Sequence, residues 1–225
     1  MYRIKICGIV CMEDAIAAVE AGADALGFIA GVTHRAEDSL ALPMARDLIR
    51  GIPSGVWSVL VTHLRDAPTI IEYCRTTECR ALQIQDDIDI DVLAGFREAL
   101  SGLLIIKAVL MDSPDIQEMI KRASSYENYV DAFVCDTVNR AEGRIGGTGQ
   151  IHDWSLSRAL AAVLDKPVIL AGGLNPGNVA EAVRRVGPWG VDVNSGVEKF
   201  PRSRSGRKDP QKLKAFIYNA RRFLK

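Results

Sequence analysis

A small set of polar residues lies where predicted strands end, which is where α/β proteins bind their ligands. The set is Cys7, Arg35, Gln83, Gln85, Asp136, Asp192 and Asn194. Two of these side chains can exchange protons near neutral pH when their surroundings shift their pKa values. They are the thiol of Cys7 and the carboxyl of Asp136, and they are the candidates for a general base and a general acid.

The positions of Asp136 and Cys7 in the sequence favour those roles. Asp136 ends the apolar run 132–135, and burial raises the pKa of a carboxyl, as a general acid needs. Cys7 ends the first strand, and a thiol base needs a lowered pKa, which Lys5 on the same strand face favours. Both residues also have structural interpretations. Asp136 can cap a helix or turn, and Cys7 can be a small buried hydrophobic residue.

Two neighbouring turns of small residues near the end of the chain predict a phosphate site. One follows a strand over 167–170, the other follows a strand over 190–193, and a helix over 179–186 joins them. The turns contain Gly172, Gly173, Asn194, Ser195 and Gly196. Backbone amides in such turns bind anions, and a barrel holds phosphate after its seventh and eighth strands. The alternative is that the glycines only end the strands.

The chain alternates strands and helices in eight units, and we predict no strand–strand hairpin in it. The strands are predicted over 3–7, 24–29, 56–61, 81–84, 103–109, 132–136, 167–170 and 190–193. Nearly continuous apolar strands indicate a parallel sheet covered on both faces. An open doubly wound sheet usually carries GxGxxG after its first strand, and Cys7-Gly8-Ile9 does not match. We therefore predict an α/β fold, a (β/α)8 TIM barrel, with residues 1–225 as a single domain.

Composition argues against several other classes of function. The formal net charge is zero, so we expect no nucleic acid partner. Apolar runs are only strand-length, so we expect no membrane span and no secretory signal. The 5 cysteines form no CxxC pair and lie near no histidines at zinc spacing, which predicts no metal site and no disulfides. Free thiols suit a cytoplasmic location. The polar, basic stretch 199–208 is predicted to be a solvated loop before the last helix.

Several stretches, taken together and in order, resemble the phosphoribosylanthranilate isomerase family of tryptophan biosynthesis. They are 5–9 (KICGI), 22–28 (GADALGF), 136–137 (DT), 146–149 (GGTG), 153–154 (DW), 170–175 (LAGGLN), 191–198 (VDVNSGVE) and 208–209 (KD). The resemblance implies that Cys7 is the general base, Asp136 the general acid and Arg35 a contact to the anthranilate carboxylate. The substrate-binding residues that we assign are Arg35, Gln83, Gly147, Thr148, Gly149, Gly172, Gly173, Asp192, Asn194, Ser195 and Gly196.

The reaction that the resemblance implies is an Amadori rearrangement. The acid protonates the ring oxygen of N-(5-phosphoribosyl)anthranilate, the furanose opens to a Schiff base, and the base removes the proton from C2 of the sugar. This chemistry uses no cofactor. We expect a small-molecule phosphoribosyl substrate and a monomer or a homodimer.

The chain departs from the family's usual pattern at three places, one of which is a longer loop after Glu198. It has Thr33-His34 where Ser-Pro usually precedes the arginine, and Gln83-Ile84-Gln85-Asp86 where Gln-Leu-His-Gly is usual. These changes keep two alternatives open. One is another phosphosugar isomerase on the same barrel, for example of the histidine pathway or with a changed aglycone. The other is a catalytically silent phosphate-binding protein, which the presence of both Cys7 and Asp136 argues against.

Overall fold

A computed structural model describes residues 1–33, 38–139, 144–145, 151–199 and 207–224. The strands are β1 (Ile4–Ile6), β2 (Ala25–Ala30), β3 (Ser39–Leu40), β4 (Trp57–Thr62), β5 (Ala81–Ile84), β6 (Leu104–Met111), β7 (Ala132–Asn139), β8 (Arg144–Ile145), β9 (Val168–Leu170) and β10 (Gly190–Val193). The α-helices are α1 (Met12–Glu20), α2 (Leu42–Gly51), α3 (Ala67–Thr77), α4 (Ile90–Ala99), α5 (Ile116–Ser124), α6 (Trp154–Val163), α7 (Val179–Val186) and α8 (Pro210–Arg221). Short 3-10 helices cover Glu127–Tyr129 and Ser195–Val197.

Eight of these strands form a closed parallel ring, and this confirms the predicted (β/α)8 barrel. The order around the ring is β1, β2, β4, β5, β6, β7, β9 and β10, and β10 pairs with β1 again. The ring closes where Lys5 lies opposite Asp192 and Ile6 lies opposite Val193. Closure therefore brings the first and the last barrel strands, and their polar side chains, side by side.

Several helices begin at an aspartate that satisfies the free amides of the first turn. The side chains of Asp66, Asp115, Asp153 and Asp209 each accept a hydrogen bond from a backbone amide two or three residues further along. Such a cap typically contributes about 1 kcal/mol to stability. These caps fix where each helix starts, and so they fix the loops that precede the helices.

The core has two layers, because alternate residues of each strand face opposite sides of the sheet. An outer layer between strands and helices contains large side chains such as Leu26, Phe28 and Phe133. An inner layer fills the ring with smaller ones, among them Val59, Ala108 and Val134. The same alternation points Cys7, Gln83, Gln85, Asp136 and Asp192 into the ring at the carboxyl ends of the strands.

One of the predictions about the loops is wrong. We predicted no hairpin, but β7 continues to Asn139 and pairs antiparallel with β8. A strand of two residues has too little alternation to be recognised in a sequence. The predicted solvated stretch 199–208 falls mostly on residues 200–206, which lie outside the described residues; of its described members, Lys199 is exposed and Lys208 is only 1% exposed. In the part of the chain that the structure describes, none of the helices has the length and apolar character needed to cross a membrane.

Candidate active site at the barrel mouth

Cys7 lies directly after β1 and packs against β2 on the inside of the ring. Its side chain belongs to the inner core layer and is 7% exposed. A Cβ atom at Gly27 of β2 would lie 2.7 Å from Cys7 Sγ and 2.9 Å from Lys5 Cε. Only glycine at position 27 therefore leaves room for the thiol and the lysine together.

Lys5 and Asp192 form a buried ion pair beside Cys7. Lys5 Nζ lies 2.6 Å from Asp192 Oδ2, and the lysine side chain is fully buried. Burial alone lowers the pKa of Lys5, but the neighbouring Asp192 and Cys7 outweigh it and leave that pKa raised. Lys5 is thus a permanent cation inside the barrel.

Burial and the neighbouring Lys5 ammonium act in opposite directions on the pKa of the Cys7 thiol. Burial raises it to about 11, although the Lys5 ammonium lowers it and hydrogen-bonds to the thiol. The carboxylates of Asp192 and Asp38 act in the same direction as burial. The sequence correctly placed Lys5 next to Cys7, and Lys5 does act to lower the pKa of the thiol, but desolvation is the larger effect and leaves that pKa raised.

Asp136 lies within β7, opposite Leu110 of β6, and points into the ring. Burial, followed by the nearby Asp192 carboxylate, raises the pKa of Asp136 to about 6, which agrees with the predicted direction and cause. Hydrogen bonds oppose this rise, since the Thr137 amide donates to Asp136 Oδ1 at 2.8 Å and Gln85 Nε2 donates to Oδ2 at 2.9 Å. Asp136 therefore titrates close to neutral pH.

Gln83 lies one step further from the acid. Its Nε2 donates to Gln85 Oε1 at 2.9 Å, and both glutamines are 3% exposed. The amide nitrogen of Gln83 is therefore turned towards Gln85. Substrate binding by Gln83, which the sequence predicted, remains a prediction.

The unusual Asp86, which follows β5, has its partners in the segment that follows β4. His63 Nδ1 lies 2.8 Å from Asp86 Oδ1, and Arg65 Nη2 donates to Oδ2 at 3.3 Å. Burial raises the pKa of Asp86, but His63 and Arg65 outweigh burial and hold it below its usual value. The Asp86 carboxylate is thus paired with His63 and Arg65, whereas the side chain of Gln85 hydrogen-bonds to Asp136.

The glycine turns after β9 and β10 have the backbone geometry of an anion cradle. Gly172 and Gly173 have φ values of +81° and +65° in succession, a conformation that favours glycine. Ser195 and Gly196 open the 3-10 helix, so their amides have no acceptor within that helix. A Cβ at Gly196 would overlap the carbonyl oxygen of Leu174, which shows how closely the two turns approach each other.

The buried ammonium of Lys208 binds residues of the turn that follows β10. Its Nζ donates to Asn194 Oδ1 at 2.7 Å and to the Asn194 carbonyl at 3.3 Å, and it lies 3.3 Å from Glu198 Oε1. Asn194 Nδ2 in turn donates to Asp38 Oδ2 at 2.6 Å. Asn194 therefore links this turn to the loop after β2, and its side chain has protein partners.

Some predicted site residues lie outside the described residues. These are Arg35, Gly147, Thr148 and Gly149. The structure brings together the described members of the predicted set, which are Cys7, Gln83, Asp136, Gly172, Gly173, Asp192, Asn194, Ser195 and Gly196. Lys208 and Asp38 were not predicted, although the Lys208-Asp209 pair before the last helix was among the family motifs.

A closed parallel barrel with ionisable side chains and glycine turns at the carboxyl ends of its strands defines the class of (β/α)8-barrel enzymes. Within that class, the chain belongs to the N-(5'phosphoribosyl)anthranilate (PRA) isomerase family, whose family model matches residues 4–219. Membership of this family confirms the resemblance found in the motifs.

Individual relatives support the same assignment over the whole chain. The chain is 40% identical over 224 residues to the N-(5'-phosphoribosyl)anthranilate isomerase of Desulforudis audaxviator, and the match covers 100% of both chains. It is 32% identical, with a TM-score of 0.79, to a phosphoribosyl anthranilate isomerase crystallised with reduced 1-(o-carboxyphenylamino)-1-deoxyribulose 5-phosphate, covering 98% of this chain and 99% of that one. Monomers generated from the dimeric isomerase of Thermotoga maritima match at 32% identity and a TM-score of 0.78, covering 98% and 99%.

Proposed function

We propose that this barrel isomerises N-(5-phosphoribosyl)anthranilate to 1-(2-carboxyphenylamino)-1-deoxyribulose 5-phosphate, with Asp136 as general acid and Cys7 as general base. The observation that carries the proposal is that both side chains face the inside of one barrel mouth. The Lys5–Asp192 ion pair acts on the pKa values of both. An acid and a base held at one mouth are what the rearrangement requires.

In the first step, Asp136 gives its proton to the furanose ring oxygen. The bond between that oxygen and C1 breaks, and the lone pair of the anthranilate nitrogen forms the C1–N double bond of a Schiff base. Burial, followed by the neighbouring Asp192 carboxylate, raises the pKa of Asp136 to about 6 and so keeps a proton on it available near neutral pH. Asp136 is left as a carboxylate, which Thr137 and Gln85 stabilise by hydrogen bonds.

In the second step, the Cys7 thiolate takes the proton from C2 of the sugar. The electron pair of that C–H bond forms the C1–C2 double bond, the iminium nitrogen becomes neutral, and the resulting enolamine tautomerises to the ketone. The Lys5 ammonium beside Cys7 stabilises the thiolate that this step consumes. At neutral pH most molecules of the free enzyme are instead in a resting form with an Asp136 carboxylate and a Cys7 thiol, because the pKa of Asp136 is about 6 and that of Cys7 is about 11. The reactive form, with the proton on Asp136 and a Cys7 thiolate, is the minor one.

The resting form and the reactive form therefore carry the same number of protons. Their ratio does not change with pH between the two pKa values, and kcat/KM is expected to have a plateau there. Below about pH 6 the carboxylate gains a proton, both groups are then protonated, and the thiolate needed for catalysis becomes rarer as pH falls. This gives the profile its acidic limb.

The direct experiment is a fluorescence assay that follows the loss of phosphoribosylanthranilate with the purified full-length protein. Turnover supports the proposal. Turnover of another phosphoribosyl amine, with none of the anthranilate compound, would favour the isomerase with a changed aglycone. Binding without turnover of either would favour the silent phosphate-binding protein.

We expect the turns after β9 and β10 to hold the substrate phosphate. Gly173→Ala should raise KM for the phosphorylated substrate roughly tenfold, because the displaced amides lose charge-assisted hydrogen bonds, and should change kcat little. Steady-state kinetics measure both constants. Gly187→Ala is a matched control, since Gly187 has the same φ of +65° but follows α7 and has open space around its Cβ position. Equal KM changes in both variants would contradict the phosphate assignment.

We expect Arg35 to pair with the anthranilate carboxylate. Arg35→Ala should then lower kcat/KM by roughly one to two powers of ten, the typical effect of losing a charge-assisted hydrogen bond. Arg46→Ala on α2, whose guanidinium pairs with Asp47, should leave kcat/KM unchanged. An unchanged rate for Arg35→Ala would move the carboxylate contact to another residue, for example Gln83.

Further features of the assignment are proposals of the same kind. We propose one domain over 1–225, supported by the pairing of the first and the last barrel strands. We propose a cytoplasmic enzyme, supported by 5 cysteines without a disulfide. A monomer or a homodimer is compatible with the family, in which a dimeric isomerase occurs.

A further inference from the structure

A row of side-chain amides runs from β5 to the carboxyl of Asp136. Gln83 Nε2 donates to Gln85 Oε1, and Gln85 Nε2 donates to Asp136 Oδ2, each at 2.9 Å. All three side chains are buried, with exposures of 3%, 3% and 8%. The row therefore reaches the proposed acid from a strand two places away in the ring.

The two oxygens of Asp136 have different kinds of partner. Oδ1 accepts from the backbone amide of Thr137, and a backbone amide can only donate. A proton on the carboxyl therefore belongs on Oδ2, which faces Gln85. The side-chain amide of Gln85 has a donor, Nε2, and an acceptor, Oε1. Rotation about its terminal side-chain torsion, which has a broad energy minimum, exchanges the two positions.

We propose that Gln85 is the positioning residue of the general acid, holding Oδ2 of Asp136 through either face of its amide. This inference rests on the proposed function of Asp136. When Asp136 is ionised, Gln85 donates through Nε2, as in the structure. When Asp136 carries its proton, Oδ2–H donates to Gln85 Oε1, and Gln83 turns its own amide to accept from Gln85 Nε2.

An amide suits this place because it makes a hydrogen bond with both forms of the acid and carries no charge of its own. The inward side chains of the adjacent β6 and β9 next to Asp136 are apolar, among them Leu110 and Ala171. Among the described residues, the charged groups that act on Asp136 are Asp192 and Lys5. Gln85 is thus the neutral side-chain partner that opposes burial and Asp192.

The test replaces Gln85 by Met, which has similar length and cannot donate to Oδ2, in the full chain. Loss of a hydrogen bond to the carboxylate should raise the pKa of Asp136 by roughly one to two pH units above about 6, and move the acidic limb of kcat/KM by the same amount. Gln83→Met, which removes only the second amide, should give a smaller shift in the same direction. Gln117→Met, at an exposed position on α5, should give none.

Two additions keep the test decisive. Gln85→Glu preserves the shape of the side chain if Gln85→Met does not fold, and its carboxylate should raise the pKa of Asp136 further by like-charge repulsion. A carbon-13 NMR titration of the Asp136 carboxyl, assigned by its loss in Asp136→Asn, reads the same pKa without any turnover. If the parent does not isomerise phosphoribosylanthranilate, the proposed function fails, and the titration still decides the effect of Gln85. An Asp136 pKa equal to the parent value in both Gln85 variants would overturn the inference.

Discussion

Asp136→Asn is expected to lower kcat/KM for phosphoribosylanthranilate by about 10² to 10⁴, the usual contribution of a general acid. The asparagine amide has a similar shape but no proton to give to the furanose ring oxygen. The parent profile should fall below about pH 6, where Asp136 takes up a proton. The variant should lose this break and the plateau above it, and its remaining rate should instead rise with pH towards the Cys7 pKa of about 11, because only the thiolate then titrates. Steady-state rates between pH 5 and pH 10, fitted for both proteins, measure the effect.

Asp165→Asn provides the control for this substitution. Asp165 is exposed, it precedes β9, and it therefore lies at the end of the barrel opposite the proposed site. The control should retain both the rate and the acidic limb of the parent. If the Asp136→Asn protein turns over at the parent rate, Asp136 is not the general acid, and the proposed isomerase mechanism is contradicted at its first step.

The barrel and its inward-facing residues could be predicted because they depend on local patterns. Alternation along a strand determines which side chains face the ring, and it placed Cys7 and Asp136 inside without any knowledge of their neighbours. The apolar run before Asp136 also predicted the direction of its pKa shift, since burial is the largest cause. The predicted glycine turns follow β9 and β10 in the structure, and the phosphate site that we assign to them remains a prediction.

The partners of these residues could not be predicted, because they come from distant parts of the chain. Gln85 and Asp136 are 51 residues apart, and they meet only because the ring curves between β5 and β7. Lys208 lies in a basic, polar stretch that is typical of solvated loops, yet it is buried and its ammonium contacts Glu198 and Asn194. The raised pKa of Cys7 could not be predicted for a related reason. The sequence shows Lys5 nearby but does not show how completely the thiol is removed from water.

Cys7→Ser is the second substitution with a large expected effect, and it tests the base. We expect kcat to fall by about 10² to 10⁴, because a serine hydroxyl does not ionise in the range where the thiol does and so cannot take the C2 proton. The alkaline limb set by the Cys7 pKa of about 11 should be lost, and the remaining activity should instead fall above about pH 6, where Asp136 gives up the proton that the first step needs. KM should change little, since the proposed phosphate and carboxylate contacts are untouched.

Removal of Lys5 would be a less clean test of the same base. Lys5 pairs with Asp192 inside the barrel, and deleting one member of a buried ion pair typically costs about 3–5 kcal/mol of stability. A lost rate in that variant would therefore mix catalysis with folding. Cys7→Ser changes one atom in a side chain that is 7% exposed, and the Lys5–Asp192 pair remains complete.

Cys74→Ser is the matched control for the loss of a buried thiol. Cys74 lies on α3 in the outer core layer, away from the barrel mouth, and should be replaceable without loss of kcat. A second measurement reads Cys7 directly. Alkylation by iodoacetamide should inactivate the parent faster as pH rises towards about 11, because the thiolate is the reactive form, and bound substrate should slow it. If Cys7→Ser keeps the parent rate and alkylation of Cys7 leaves activity intact, the base is another group, and the thiol of Cys7 is only a small buried side chain.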